Sequence, residues 1–513
     1  MKISRLFTVS LLLGGAVFAE EKAAAPKRSL VPDYYKIETI PTPKGLSAEV
    51  GGLAFMPDGR LVATFHRGEI YTYDPARKTW KLFADGLHDP LGVVAISDRE
   101  IVVMQRPELT RITDTDGDGV ADQFETITDA FGMTGNYHEF AFGPLRAKDG
   151  SFFVALNVGS NGAGIRSEVR GALSRLSGVD ARMYSAVPWR GWVLRVTPDG
   201  QVEPYALGFR SPNGLGFDAA ENLYAPDNQG DWIGSSPLYR VEKGKFYGHP
   251  ASLAWKDGIT APPFKMPVTE LAARKTYATF VFPHNLMANS PTQPLLIKTG
   301  GKFGPFEGQM IIGEMNRARL IRLLFDEVDG QQQGACIPLI DDGGLQKGNN
   351  RLAFAKDGSL WVGQTDHGWA GDKGIQRISW TGKVPLEVTK MKLTKKGFDL
   401  TFTRPLAAAT ASSPTAYKVK RYYYEYHSAY GSKQYDLQEI TVSGATLSKD
   451  RKTVSLELPE LTAWRVYELR LDDLRTDDGK PVLNPLVCYT LNHLLENTPE
   501  PPPPGVSTKS SDQ

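Results

Sequence analysis

Cysteine is almost missing from this chain: among 513 residues only Cys336 and Cys488 occur. Two thiols cannot build a disulfide framework, and without a CxxCH run there is no attachment point for a c-type haem. They leave open a single Cys336–Cys488 bridge in an oxidising compartment, or a pair of buried free thiols. Charge of one sign is missing as well. Lysine and arginine number 59 against 58 acidic residues, a net charge of +1, which gives no footprint for nucleic acid or an anionic membrane. No apolar run of spanning length follows the first 19 residues, so no membrane span is expected in the mature chain.

What is there begins with MKISRLFTVSLLLGGAVFA. Lys2 and Arg5 precede a short apolar run, and Val17 and Ala19 stand where a signal peptidase reads. Residues 1–19 therefore read as a signal peptide, the protein as exported to the periplasm or the exterior, and residues 20–34 as a linker. No cysteine follows the apolar run to carry a lipid anchor.

A repeat sets the expected architecture. An apolar strand, a turn at or near Asp-Gly, a second strand and a third recur from Gly51, Leu91, His138, Asn213, Phe306 and Asn350. A sheet of this kind cannot bury both faces alone, so six copies predict a ring: an all-β, six-bladed β-propeller over residues 35–384. Uneven spacing places inserted loops on one face, where binding sites are usually built. After Pro385 the pattern becomes alternating strands with turns such as KDRK and DDGK, predicting an immunoglobulin- or fibronectin-like sandwich over 385–495. The aromatic run Tyr422, Tyr423, Tyr424, Tyr426 fits packing of one sheet or a ligand face. Residues 496–513, proline-rich and polar, read as a disordered tail or tether.

One short motif carries metal chemistry. DTDGDGVADQFE offers Asp114, Asp116, Asp118, the Val120 carbonyl, Asp122 and Glu125 at the spacing of a twelve-residue calcium loop, with Gly117 at its sharp turn. The preceding residues are β-branched and contain Pro107, so no helix enters the loop. The expectation is a calcium staple joining the second blade to the third, against the alternative of a solvated acidic turn.

Other motifs carry a resemblance. NYHEFAFGP from Asn136, ALGFRSPNGLGFD from Ala206 and KGKFYGHP from Lys243 resemble the glucose/sorbosone dehydrogenase propellers, quinoproteins that bind pyrroloquinoline quinone and calcium. DNQGDW at Asp227, GNNRLAFAKDGSLWVGQTDHGWAG at Gly348 and YTLN at Tyr489 bring the likeness closer to exported sorbosone-dehydrogenase-like proteins of planctomycetes and verrucomicrobia. The resemblance implies that His138 is the base taking a sugar hydroxyl proton and that Arg210 holds the quinone, with Arg317 and Arg351 as further cofactor positions. Imidazole suits the first role and guanidinium, pairing with carboxylates, the second. This chain departs from that pattern at Ser211, around Asn316 and Arg317, and at Asn349 and Asn350 beside Arg351.

Asn213, Asp227, Trp232, Asn285 and Asp366 complete the expectation as substrate-binding positions, and Trp369 as a further stacking aromatic. Each has a structural alternative: His138 as a hydrogen-bonded strand end, Arg210 as the partner of Asp227 or Asp231, and Asn213 as a turn residue. The sequence thus points first to an exported quinoprotein-like sugar dehydrogenase passing electrons to a separate acceptor protein. Two other readings stand beside it: a calcium-dependent lactonase-type hydrolase, with a channel metal among Glu49, Asn213, Asp227 and Asn349, and a carbohydrate-binding scaffold without chemistry.

Overall fold

A computed structural model describes residues 28–162, 169–174, 176, 181–367 and 371–505. The signal-peptide segment, Trp369 and the end of the proline-rich tail lie outside the described residues.

Each repeat folds as a four-stranded antiparallel sheet, one strand more than the sequence pattern suggests. The second strands, including Leu61–Phe65, Phe152–Leu156 and Leu360–Gln364, are buried along their whole length. They are packed on both faces by the neighbouring sheets, which explains runs of apolar residues in place of alternation. The innermost strands are Val50–Phe55, Val93–Ala95, Ala141–Arg146, Gly216–Phe217, Pro291–Leu296 and Asn349–Phe354. Neighbouring inner strands pack in sequence, the last against the first, and the third and fourth sheets share one hydrophobic core, so the ring closes. The approach at the inner rim is tight: a Cβ on Gly51 would lie 2.0 Å from the Pro90 carbonyl oxygen, and one on Gly92 would lie 1.8 Å from that of Gly143.

The N-terminal strand Tyr35–Ile40 completes the sixth sheet as its outer strand, pairing antiparallel with Ile375–Trp380. Val31, read from sequence as linker, is buried in the same core.

The fifth sheet departs from the expected domain boundary. Its outer strand, Gln331–Asp341, pairs on its free edge with Leu486–Leu491, placing Gly334 opposite Thr490 and Cys336 opposite Cys488. That sheet continues through Arg465–Arg470, Lys418–Tyr423 and Tyr435–Ile440, giving eight strands shared between the ring and the C-terminal unit. A second sheet, Val388–Thr394, Gly397–Phe402, Thr453–Glu457 and Gly444–Leu447, packs across it over a core that includes Phe398, Leu400, Val454, Leu456, Tyr467 and Tyr489. Pairing a free edge also removes an exposed ladder of backbone donors and acceptors. Cys336 and Cys488 are buried thiols, with the Cys336 Sγ–H donating to the Cys488 carbonyl at 3.5 Å.

A second tie fixes the junction. Arg322, fully buried, donates from Nη2 to Glu387 Oε2 at 2.9 Å and stacks over Phe306. Asn484 donates to the other Glu387 oxygen at 2.7 Å. Burial pushes the Glu387 carboxyl up to about 7 despite the guanidinium. The tail is docked in its described part: Trp464 Nε1 donates to the Pro499 carbonyl at 2.7 Å and the Gly505 amide to that of Tyr426 at 3.1 Å. Residues 499–505 are therefore seated on the protein, in contrast to the free tail read from composition.

Removing one member of a buried pair leaves an uncompensated charge, which costs roughly 3–5 kcal/mol. Arg322→Met should lower the urea-unfolding free energy by about that amount, and adding Glu387→Gln should recover part of the loss.

Candidate active site at the ring axis

Residues at the start of the inner strands and just after the second strands converge from all six sheets on one cavity of about 440 Å³. Its wall holds four imidazoles (His66, His138, His284, His367), two guanidiniums (Arg182, Arg210) and a set of side-chain amides that includes Asn157, Asn213, Gln229, Asn289 and Asn350. Phe140 and Phe142 supply apolar faces, and Tyr137 and Tyr430 stand exposed beside it.

His138 precedes the inner strand of the third sheet. Its backbone amide donates to Asn136 Oδ1 at 3.0 Å, and its Nδ1 lies 2.8 Å from the Val158 carbonyl oxygen. A carbonyl only accepts, so Nδ1 carries the proton and Nε2 keeps its lone pair. Burial, reinforced by the Arg210 charge, brings the imidazole down to about 4, so it is neutral at neutral pH. Arg210 is held from three sides. Its amide donates to Asp227 Oδ2 at 2.7 Å, its Nε to Asp231 Oδ1 at 2.9 Å, and its guanidinium lies over the Tyr430 ring at 5.5 Å. Gly230 makes room for it: a Cβ there would come 2.0 Å from Arg210 Nε. His249, fully buried, braces the other Asp231 oxygen at 3.3 Å, and together His249 and Arg210 hold that carboxyl well below its usual range against the effect of burial.

Arg182 was not singled out from the sequence. Its guanidinium lies 4.6 Å from the centre of the same Tyr430 ring. Two cations thus share one aromatic ring at the cavity wall, an arrangement suited to an anionic ligand group.

Several expected site residues stand elsewhere. Arg351 is buried, donates to Asn213 Oδ1 at 2.9 Å and to the Asn350 and Leu91 carbonyls, and lies over Phe142; it is an internal brace behind the cavity. Arg317 donates to the Asn285 carbonyl, and both residues line a separate surface depression. Asp227 has no exposure, because its carboxylate accepts the amides of Arg210, Ser211 and Asn228; it folds the loop and cannot reach a substrate. Trp232 packs on Tyr426 in a smaller cavity of about 130 Å³ near the docked tail. Asp366 pairs with Lys373 at 3.3 Å outside the cavity wall. Asn213 does line the cavity, with its amide donating to Asn350 Oδ1 at 3.1 Å.

The channel metal site expected among Glu49, Asn213, Asp227 and Asn349 does not assemble. Glu49 accepts from Lys373 and Ser47 and meets His367, while Asn349 donates to backbone carbonyls. Two other groups of candidate ligands converge among the described residues: Asp114 with Asp116 and Asp118, and His66 with Asp89 and His367. The first lies in the hairpin between Leu109–Thr113 and Gln123–Thr128, the third and fourth strands of one sheet. It therefore sits on the outer edge of the second sheet and does not join that sheet to the next. Asp122 accepts from Thr115 at 2.6 Å and Glu125 from Arg111 at 2.9 Å, outside the group formed by Asp114, Asp116 and Asp118. In the second group the two imidazoles stack at 4.1 Å with planes 26° apart. Their lone pairs lie in those planes and do not meet at one point, which disfavours metal ligation.

Besides Arg182, sequence reasoning passed over His66, Asp89, His367 and Tyr430. A signal exists. In each repeat the apolar second strand ends on a polar side chain: His66, Gln105, Asn157, Asp227, Glu314 and Gln364. All six are buried, and two of them, His66 and Asn157, line the cavity.

Residues 72–274 match a family model described as "Domain of unknown function (DUF7133)". No curated protein matches. Among solved structures, an oxidoreductase described as a glucose dehydrogenase, from Thermus thermophilus, aligns at 17% identity over 67% of this chain and 99% of its own, with a TM-score of 0.46. The aldose sugar dehydrogenase of Streptomyces coelicolor in its PQQ-bound form aligns at 17% identity over 67% and 98%, with a TM-score of 0.44. A gluconolactonase-like structure aligns at 13% identity over 68% and 92%, with a TM-score of 0.40.

His138 gives a pH test. Its folded pKa is depressed, so the unfolded chain binds the proton more readily and acid weakens the fold; stability is lost as pH falls from about 6.5, the ordinary histidine value, towards about 4. Melting temperature should fall over that window, and less steeply in His138→Gln.

Proposed function

We propose that this protein is a sugar dehydrogenase of the quinoprotein type, built as a six-bladed β-propeller with an immunoglobulin- or fibronectin-like unit fused to its fifth blade. The observation that carries the reading is His138: a neutral imidazole, fixed through Nδ1, on the wall of an amide-rich cavity. Side-chain amides both donate and accept, as polyol recognition requires. In this reading His138 Nε2 takes the proton of a sugar hydroxyl, and Arg210 offers its guanidinium to the oxygen that gains negative charge. Asp231 and His249 keep that guanidinium in place.

The donor set fits a planar cofactor bearing carboxylates, with Arg210 as the resemblance implies but Arg182 in place of Arg317 and Arg351. Arg182 and Arg210 are the cations that would hold its carboxylates, with Asn213 and Asn350 as amide partners and Phe140 and Phe142 as apolar faces. Arg317 and Arg351 are committed elsewhere. A bound quinone would supply the two-electron acceptor, and a separate protein would take electrons from the reduced form. Export to the periplasm or exterior belongs to the same proposal and rests on the N-terminal sequence.

Titrating pyrroloquinoline quinone calorimetrically into the calcium-loaded protein should give saturable micromolar binding that Arg182→Ala with Arg210→Ala removes. His138→Ala should keep the binding and lose at least about 100-fold in aldose turnover with an artificial acceptor. Absence of quinone binding to the wild-type protein would overturn the reading.

For calcium, Asp114, Asp116 and Asp118 are the three carboxylates that fit a hard cation, with water completing the shell. A site of this kind braces the outer hairpin. Calcium at about 100 times its dissociation constant should stabilise the fold by about 2.7 kcal/mol, and Asp114→Ala should abolish the shift seen in thermal unfolding.

A further inference from the structure

The mechanism above leaves a cluster of buried titratable groups at the same cavity unused. His66 follows the second strand of the first sheet and lines the cavity, with 8% of its surface exposed. Its Nδ1 lies 2.8 Å from Asp89 Oδ1, and its Nε2 has no hydrogen-bond partner among the described residues. Leaving a buried polar atom unpaired is unfavourable, so a group supplied by a ligand is the natural complement.

Asp89 meets both imidazoles, its Oδ1 lying also 3.9 Å from His367 Nε2. It adopts a left-handed backbone conformation, φ 54°, that few non-glycine residues take. Its second oxygen accepts from Arg106 Nη2 at 3.2 Å, and Arg106 also holds the carbonyls of Asn136 and Tyr137, directly before His138. On the far side His367 stacks on the His66 ring. His367 Nδ1 is 3.1 Å from Glu49 Oε2, and Glu49 meets Lys373 at 2.8 Å. The charged groups facing His66 are thus Asp89, with Arg106 behind it, His367, backed by Glu49 and Lys373, and the more distant Arg351.

The two cavity histidines differ in what their protonated forms would meet. His138 is keyed to a neutral carbonyl and faces Arg210, so its imidazolium has no counter-ion in contact. His66 is keyed to a carboxylate, and its imidazolium would form an ion pair with it. The Nδ1–H donated to Asp89 fixes the tautomer and leaves the Nε2 lone pair for a proton.

We propose that His66 is a second acid–base residue of this cavity, held in its active tautomer by Asp89. The proposal rests on the cavity being the site where a hydroxylated ligand is bound. In the step it performs, the proton of a bound hydroxyl moves to His66 Nε2 and the bonding pair stays on the ligand oxygen. Asp89 balances the imidazolium, and the proton returns to solvent past His367, whose side chain is 37% exposed.

Two measurements test this, and they fail separately. In steady-state turnover of D-glucose with quinone and an artificial acceptor, His66→Gln should lower kcat about 100-fold or more with KM changed less than about threefold. Asp89→Asn should move the acid limb of the kcat profile to lower pH, because the anion that favours His66 protonation is gone. A kcat for His66→Gln within threefold of wild type, at unchanged melting temperature, would overturn the proposal. The other measurement needs no turnover. Diethyl pyrocarbonate, which attacks the unprotonated imidazole nitrogen, should carbethoxylate His66 in the native wild-type protein, as read by peptide mass spectrometry. Saturating D-glucose should protect it, and the labelling midpoint should shift to lower pH in Asp89→Asn. Labelling of His138 with none at His66, or a midpoint at His66 unmoved by Asp89→Asn, would overturn the proposal. Absence of turnover in the wild type with normal His66 labelling would sink the dehydrogenase reading and leave the acid–base assignment standing.

Discussion

Backbone pairing between Gln331–Asp341 and Leu486–Leu491 is the constraint on which the arrangement of the site depends. It turns what the sequence presents as two successive domains into one continuous sheet, and Arg322 with Glu387 locks the same junction from within. A unit attached in this way cannot swing as one on a linker does. Its loop from Tyr424 to Ser432 is consequently laid across the ring: the Trp232 amide donates to the His427 carbonyl at 3.1 Å, and that of Gly431 to the Gly230 carbonyl at 3.0 Å. Tyr430 arrives at the cavity by this route, between the guanidiniums of Arg182 and Arg210.

Behind the cavity wall the same design recurs. Three of the cavity side chains are backed by a carboxylate one layer deeper. Asp231 stands behind Arg210, Asp89 behind His66 and Glu49 behind His367. Asp227 shapes the Arg210 loop through three amides, and Glu314 does the same for the loop containing Asn289 and Ser290. Buried carboxylates are tolerable here because each is saturated with donors, and that saturation fixes the rotamers of the groups in front. Lys373, Ser47 and His367 together bring Glu49 down to about 2 even though burial opposes ionisation.

Much of the fold was legible. The repeat beginning at Gly51 and recurring to Asn350 marked every ring sheet, because a sheet covered on both faces needs an unbroken apolar second strand and a turn at its end. His138 and Arg210 were legible as cavity residues through the motifs that contain them. The misses have common physical causes. Arg351 and Arg317 look like ligand cations in sequence, but a guanidinium has five donors, and neighbouring carbonyls claimed them. Asp227 and Trp232 sit in a motif shaped for folding a loop, and sequence spacing does not say which way a loop turns. The calcium motif was misplaced in the fold: it lies in a hairpin within the second sheet and not between two sheets, because its flanking strands pair with each other. His66 was passed over because a lone histidine after a strand carries no local signature; its partner Asp89 stands 23 residues away, on the other side of a strand pair.

The outer strand of the sixth sheet has a further meaning for how this molecule comes into being. Tyr35–Ile40 and Ile375–Trp380 pair across almost the whole ring, so the first strand to be synthesised is held by one of the last ring strands made. Every other ring sheet draws its four strands from one stretch of chain and can assemble as that stretch emerges. The sixth cannot, and contacts so distant in sequence form slowly because the chain between them must be ordered or looped first. Until Tyr35–Ile40 joins it, Ile375–Trp380 presents an unpaired strand edge, the kind of surface on which chains associate wrongly.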